Sequence, residues 1–341
     1  MLKISLDKLN QMFSAIAQNN TLYLPVDTEG GPKFEKWEEG KELSNCLNTV
    51  RSPKDFFFPQ TENLMDFKVE GKTIEVIDTR SELEDFVIFG VRACDVKSFE
   101  ILDRVFLTDP VDTYYKNRRE HGIIMSMACT RPVETCFCGT FQIDAAEPEG
   151  DVVCYKTDDS IYMKSNTDKG AELLDKLSSL TEQASDVPVE EQKSLIRERI
   201  SRLPLANLKA DAFGTDKTME FFDAPQWQEL SATCLGCGTC TFVCPTCQCY
   251  DIKDFNTGHG VKRFRCWDSC MYSDFTKMAH GNSRLTQLER FRQRFMHKLV
   301  YYPTNNDGLF SCVGCGRCLS KCPIQMNIVK VMKSLAENTE R

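Results

Sequence analysis

The chain has 341 residues, a formal net charge of −8, 41% hydrophobic and 27% charged residues, an ordinary balance for a globular protein. The acidic balance leaves no domain-wide basic excess to meet a nucleic-acid backbone, and no apolar run approaches the roughly 18 residues that span a bilayer. Eighteen cysteines are the outlier; without a signal-peptide pattern the expected compartment is the cytoplasm, where thiols stay reduced, so metal ligation rather than disulfide bonding is expected.

MLKISLDKLNQMFSAIAQNN opens the chain as a short strand or turn followed by an amphipathic helix. TIEVI (73–77), FVIFGV (86–91), IIMSM (123–127) and VVCY (152–155) have the length and β-branched content of strands. TDKGAELLDKLSSL and VPVEEQKSLIRERISRL, between 167 and 203, read as helices, the second opening with Pro188 and then Glu190 and Glu191. Residues 1–203 are therefore expected to form an α/β domain. Residues 204–232 hold few strong signals and read as a connector into Trp227. From Cys234 the cysteines come densely, and MNIVKVMKSLAEN closes the chain as a helix. Residues 204–341 are expected as a mostly helical, ferredoxin-like domain, which makes the fold class mixed α+β.

Residues 234–245, CLGCGTCTFVCP, and 312–323, CVGCGRCLSKCP, repeat one pattern 78 residues apart. It is C-x2-C-x2-C-x3-C-P, the run in which three thiolates wrap one corner of a [4Fe–4S] cubane and the fourth serves the other cluster. Glycines at 236, 238, 314 and 316 allow the tight wrap, and the proline turns the chain away. Cluster I is expected on Cys234, Cys237, Cys240 and Cys322, and cluster II on Cys312, Cys315, Cys318 and Cys244. Structural zinc gives no reason for a third cysteine at this spacing followed by proline. Cys240, Cys244 and Cys247 also spell the C-x3-C-x2-C of radical-SAM enzymes, but two of them already belong to the ferredoxin-type motif.

CPTCQCY (244–250), WDSC (267–270), the arginine-rich stretch ending in HK (297–298) and CVGCGRC, with FGVRACDVKSFEILDRVFL (89–107) and the C-x6-C-x-C of Cys129, Cys136 and Cys138, resemble one family over nearly the whole chain. It contains the iron–sulfur relay subunit of anaerobic sulfite reductase and the β subunit of sulfhydrogenase, the soluble NAD(P)-linked [NiFe] hydrogenase. The resemblance implies an iron–sulfur relay between a flavin subunit that oxidises NAD(P)H and a catalytic subunit of the sulfite reductase or hydrogenase type. The chain has no G-x-G-x-x-G after a strand and no G-x4-G-K-[ST], so flavin and NAD(P) are expected on a partner.

Cys94 and Cys129 follow expected strands, where open α/β sheets place ligands. With Cys136 and Cys138 they match the family motifs and number the four that a third [4Fe–4S] cluster needs, on a site that requires no help from the C-terminal segment. Burial as small apolar side chains is the alternative. Cys247, Cys249, Cys266 and Cys270 are a weaker set for a further cluster or zinc; Cys266 is not part of the family motif, and packing that tunes the neighbouring clusters is the preferred reading. Cys46 and Cys154 have no assigned role. His121, His259, His280 and His297 lack a ligand context. In RLTQLERFRQRFMHKLV (284–300), Leu285, Leu288, Phe291, Phe295 and Leu299 share one helical face. Arg290, Arg292, Arg294 and Lys298 fall mostly elsewhere and read as a solvated basic face, docking to an acidic partner being the sharper alternative. Two rival functions are weaker. A catalytic subunit reducing sulfur or disulfide at a cluster would carry CCG-type repeats, and an iron–sulfur sensor would carry a DNA-binding element; neither is present.

Overall fold

The structure, a computed structural model, describes residues 1–80 and 83–337. Its main strands, in chain order, are β1 (Leu2–Ser5), β2 (Thr21–Val26), β3 (Lys33–Lys36), β4 (Thr61–Glu70), β5 (Thr73–Asp78), β6 (Phe86–Val91), β7 (Gly122–Met127), β8 (Val152–Lys156), β9 (Ser160–Ser165), β10 (Glu182–Gln183), β11 (Tyr250–Asn256) and β12 (Gly260–Trp267). Eight of them form one mixed sheet in the order β10-β1-β9-β8-β7-β6-β2-β3. Its centre, β2-β6-β7-β8, is parallel and its margins are antiparallel.

Both faces of this sheet are covered, which is why FVIFGV is a continuous apolar run rather than an alternating one. Val87 and Phe89 of β6, Met125 and Met127 of β7, and Val152 and Cys154 of β8 pack against the helices Leu9–Ala17 and Asp168–Lys176 through Met12, Phe13, Ile16, Leu173 and Leu174. Cys154 is thus a core residue. On the opposite face, Phe86, Ile88 and Ile124 meet Phe99, Leu102 and Phe106 of the helix Ala93–Phe106. Val153 and Tyr155 meet Val189 and Ile196 of the helix Val187–Ser201. The expected strands and helices of the N-terminal half are all present, with one difference of place. TIEVI, which is β5, lies outside this sheet, and its Ile74 and Val76 are exposed.

The second sheet explains that difference. It is antiparallel, in the order β11-β12-β4-β5, and joins a hairpin from each half of the sequence. Thr61 of β4 pairs with Cys266 of β12. Residues 204–337 accordingly combine short helices with a long hairpin. The stretch expected as a connector is also packed: Ala210, Phe213, Phe221, Trp227 and Leu230 enter a core with Phe291, Phe295 and Leu299. The Trp227 indole donates to the Phe221 carbonyl at 2.6 Å. Among the described residues no helix is long and apolar enough to cross a membrane.

Candidate metal centres

The two cysteine motifs adopt the same backbone. Gly236 and Gly238 have φ of 65° and 73°, and Gly314 and Gly316 have 59° and 79°, left-handed values open to glycine without a Cβ penalty. A short helix follows each pair, Thr239–Phe242 and Arg317–Lys321, and these two helices pack together. Gly236 N–H reaches Cys234 Sγ at 3.5 Å, and Gly314 N–H makes the corresponding bond to Cys312.

Cys244, the fourth cysteine of the first motif, lies among the thiols of the second: its charge raises Cys312, Cys315 and Cys318 alike. Burial raises the Cys240 thiol, with Cys234, Cys270 and Cys244 adding to it, and Cys322 lines an apolar cluster together with Cys234, Cys312 and Cys318. Cys237 sits at the surface; among the described residues it is the exposed cysteine. Burial pushes Cys312 up to about 12. Such a thiol stays protonated at neutral pH unless a metal displaces its proton.

The N-terminal thiols come together at the C-terminal edge of the parallel strands. Cys94 lies in the first turn of the helix after β6, Cys129 follows β7, and Cys136 and Cys138 flank Phe137 on the next loop. All four are buried, and burial pushes Cys129 up to about 12 and Cys138 up to about 11. Arg92 is buried beside them, its Nη1 4.0 Å from Cys136 Sγ. Cys94, Cys129 and Cys138 share one buried cluster with Cys315 of the second motif. This loop seats directly on that motif, since a Cβ on Gly314 would stand 2.4 Å from the Phe137 carbonyl oxygen. The N-terminal thiols are thus not apart from the C-terminal segment: Phe137 N–H donates to Gly314 O at 2.8 Å, and Arg317 pairs with Asp95.

Buried positive charge surrounds these thiols. Arg294 and Lys298 are each 3% exposed, which corrects the reading of them as a solvated basic face. With Gln287 they form a stripe at i, i+7 and i+11, one face of a helix, beside the Phe291–Phe295–Leu299 stripe in the core. Gln287 Nε2 donates to Cys234 Sγ at 3.4 Å, Arg294 Nη2 to Cys240 O at 2.9 Å, and Lys298 Nζ to Thr246 Oγ1 at 2.8 Å. Lys54, also buried, donates to Cys247 O at 2.9 Å and stands 3.5 Å over the Trp267 ring. Burial draws Lys54 down to about 8 against the pull of Cys247 and Cys244. For Lys298 burial is outweighed by the neighbouring cysteines, Cys244 foremost, and the ammonium stays charged. Among the described residues none of these three cations has a carboxylate in ion-pair contact. Buried charges without counterions cost several kcal/mol each, so the site fits an anionic occupant such as a thiolate-bound iron–sulfur cluster. Sequence reading missed Lys54, Arg92, Asp95 and Arg317; the one hint was a charged pair inside the apolar setting of VRACD.

In the weaker set, Cys247 is hydrogen-bonded to Cys244 and Cys249 to Cys270. Cys266, on β12, points to the face opposite Arg265 and Trp267. Among the described residues no three His, Cys, Asp or Glu side chains converge as they would on a single ion; the corners of a cubane lie further apart than one ion's shell. His297 packs edge-on against Tyr302, and burial lowers it to about 4.

Paired glycine-turn loops, a fourth cysteine placed among the other motif's thiols and buried cations facing them define an iron–sulfur protein of the ferredoxin type. Residues 233–326 match the family described as a 4Fe-4S dicluster domain. Over 339 residues, 98% of each chain, the sequence is 30% identical to sulfhydrogenase 2 subunit beta of Pyrococcus furiosus. The chain belongs to the sulfhydrogenase β-subunit family, and is an electron-transfer protein that carries [4Fe–4S] clusters. No solved structure matches it.

Proposed function

We propose that this chain is the electron relay of a multisubunit cytoplasmic oxidoreductase, taking electrons from or passing them to a flavin subunit that uses NAD(P)H. The other end of the relay is a catalytic subunit of the hydrogenase or sulfite reductase type. Cys234, Cys237, Cys240 and Cys322 would hold one cluster, Cys312, Cys315, Cys318 and Cys244 a second, and Cys94, Cys129, Cys136 and Cys138 a third. Such clusters supply one-electron transfer at low potential.

The observation that carries this reading is the succession of neighbouring thiol groups along the two motifs and the N-terminal strand ends. It leads from Cys94 and Cys129, through Cys315 in the same buried cluster, to Cys244 and Cys240, and ends at exposed Cys237. The run is buried at its Cys94 end and open to solvent at Cys237, where a redox partner can approach. Arg92, Arg294 and Lys298 offset the negative charge the run would carry, and the glycine turns aim N–H groups at its sulfurs. The nearest rival, substrate reduction on this chain, is weakened by the burial of Cys94, Cys129, Cys136, Cys138 and Cys315, which leaves a substrate no direct approach to them.

Anaerobic loading of the full chain with iron and sulfide tests the reading. The expected product is bleached by dithionite yet oxidises no NAD(P)H until a flavin subunit is added. Flavin bound stoichiometrically to the pure chain, with NAD(P)H oxidation by it alone, would overturn the relay.

A further inference from the structure

Resting on that cluster reading, we propose that Lys298 is a positioning residue for the group expected on Cys244, Cys312, Cys315 and Cys318: it locks the two motifs in register there and eases electron addition. Its ammonium donates to Thr246 Oγ1 at 2.8 Å and to Ser311 O at 2.9 Å. Thr246 lies two residues after Cys244 and its hydroxyl is 3.2 Å from Cys244 Sγ; the same hydroxyl donates to Ser311 O at 2.9 Å. Ser311 immediately precedes Cys312, and its N–H donates back to Lys298 O at 3.1 Å. One side chain and its own carbonyl therefore clamp the segments that deliver Cys244 from the first motif and Cys312 from the second.

The helix is shaped for this contact. His297–Tyr301 forms a π turn, an arrangement frequent at functional positions. In such a turn the Lys298 carbonyl would meet an N–H five residues on, but that residue is Pro303, which has none. The carbonyl is left for Ser311.

The charge has its own consequence. Lys298 is 3% exposed, and among the described residues it has no carboxylate partner. Apart from the cysteines themselves, the charged groups acting with it are the cations Arg294 and Lys54, so no carboxylate in ion-pair contact cancels its field. One-electron reduction by an external donor such as dithionite adds one negative charge to the thiolate-bound group and oxidises the donor by one electron. In a low-dielectric interior a fixed cation stabilises the more negative product more than the reactant, and net charge is one of the levers that set cluster potentials.

The test uses the full chain loaded anaerobically, with iron content and EPR-monitored dithionite titrations of the parent, Lys298→Met, Lys298→Gln and Lys298→Arg. The neutral variants are expected to keep the parent's iron, with one cluster signal shifted to a more negative potential and the others unmoved, and Lys298→Arg to return that potential toward the parent's. Neutral variants that lose one cluster's iron while Lys298→Arg retains it would place the same charge requirement at assembly. Full iron with every potential unmoved would overturn the proposal, as would an equal shift or equal iron loss in all three variants, which would mark a packing role. A parent that takes up no iron would instead sink the cluster reading, and would do so before any variant was made.

Discussion

Asp95 is the single carboxylate between two buried guanidinia, and its removal should be among the most damaging single substitutions in the chain. Arg317 donates to it through Nη1 and, at 2.9 Å, through Nη2; Arg92 Nη2 lies at 3.4 Å. All three side chains are 2% exposed or less. Asp95→Asn keeps the shape and leaves both arginines without a counterion. Breaking a buried pair by removing one partner costs about 3–5 kcal/mol, and two stranded charges put the expected loss at the upper end. Native domains hold about 5–15 kcal/mol in total, so the variant should be marginal. Urea unfolding followed by tryptophan fluorescence measures this, with Asp254→Asn, from the exposed Arg263–Asp254 pair, as a control expected to change by less than about 1 kcal/mol. The dependence on acid is a second signature. Burial alone would raise the Asp95 carboxyl, but Arg317 and Arg92 outweigh it and hold it below the ordinary range. A carboxyl depressed in the folded state contributes fully above its unfolded value and loses that contribution as pH falls through the folded value. Parent and variant should therefore differ most at neutral pH and converge in acid. A loss under about 1 kcal/mol at neutral pH, or a gap that widens in acid, would refute the reasoning.

Cys322→Ser should damage the cluster proposed on Cys234, Cys237 and Cys240, seen as loss of one EPR signal; loss of the cluster proposed on Cys312, Cys315 and Cys318 in its place would show that ligation is not crossed. Replacing Cys136 and Cys138 by Ser should remove about four irons, one cubane, from the loaded chain, and unchanged iron would reduce these thiols to packing. Gly314→Ala combines a left-handed φ of 59° with a Cβ 2.4 Å from Phe137 O. The backbone conformation alone costs about 1–2 kcal/mol, so a clear drop in melting temperature is expected, and an unchanged one would mean that the 135–138 loop does not seat there.

The ferredoxin-type motifs are legible because their chemistry is local: eight cysteines, four glycines and two prolines at fixed spacing dictate a backbone whatever surrounds it. The parallel strands are legible for a similar reason, being short apolar runs between turn signals. Arg294 and Lys298 are not. On a helical wheel they fall outside the apolar stripe, and a charged side chain there reads as solvated unless one knows that a second, thiol-lined surface covers that face. TIEVI reads as a strand, but its partner β4 and the more distant β12 depend on a pairing between residues that no local pattern connects. The four N-terminal cysteines can be grouped from the strand ends and the loop that follows them, yet the contact of that loop with Gly314 and of Asp95 with Arg317 is invisible, since it arises from packing between distant segments.

The sheet shared between the two halves bears on how the protein is made. Strand β4 acquires its neighbour β12 only after about two hundred further residues have been synthesised, and closing so long a loop is slow as well as entropically costly. Until then the β4–β5 hairpin is open along both edges and has an apolar side, with Val69, Ile74 and Val76 still exposed even in the finished structure, features that invite association with other nascent chains. The last strand to pair is flanked on both sides by cysteine motifs, with the Arg317 that neutralises Asp95 later still. The contacts that cover the N-terminal thiols, Phe137 with Gly314 and Asp95 with Arg317, thus come from residues synthesised after the strand that completes the sheet. On the proposed third cluster, iron delivery would have to precede or accompany these last contacts, and an iron-starved cell should accumulate a form sensitive to proteolysis in the β4–β5 hairpin.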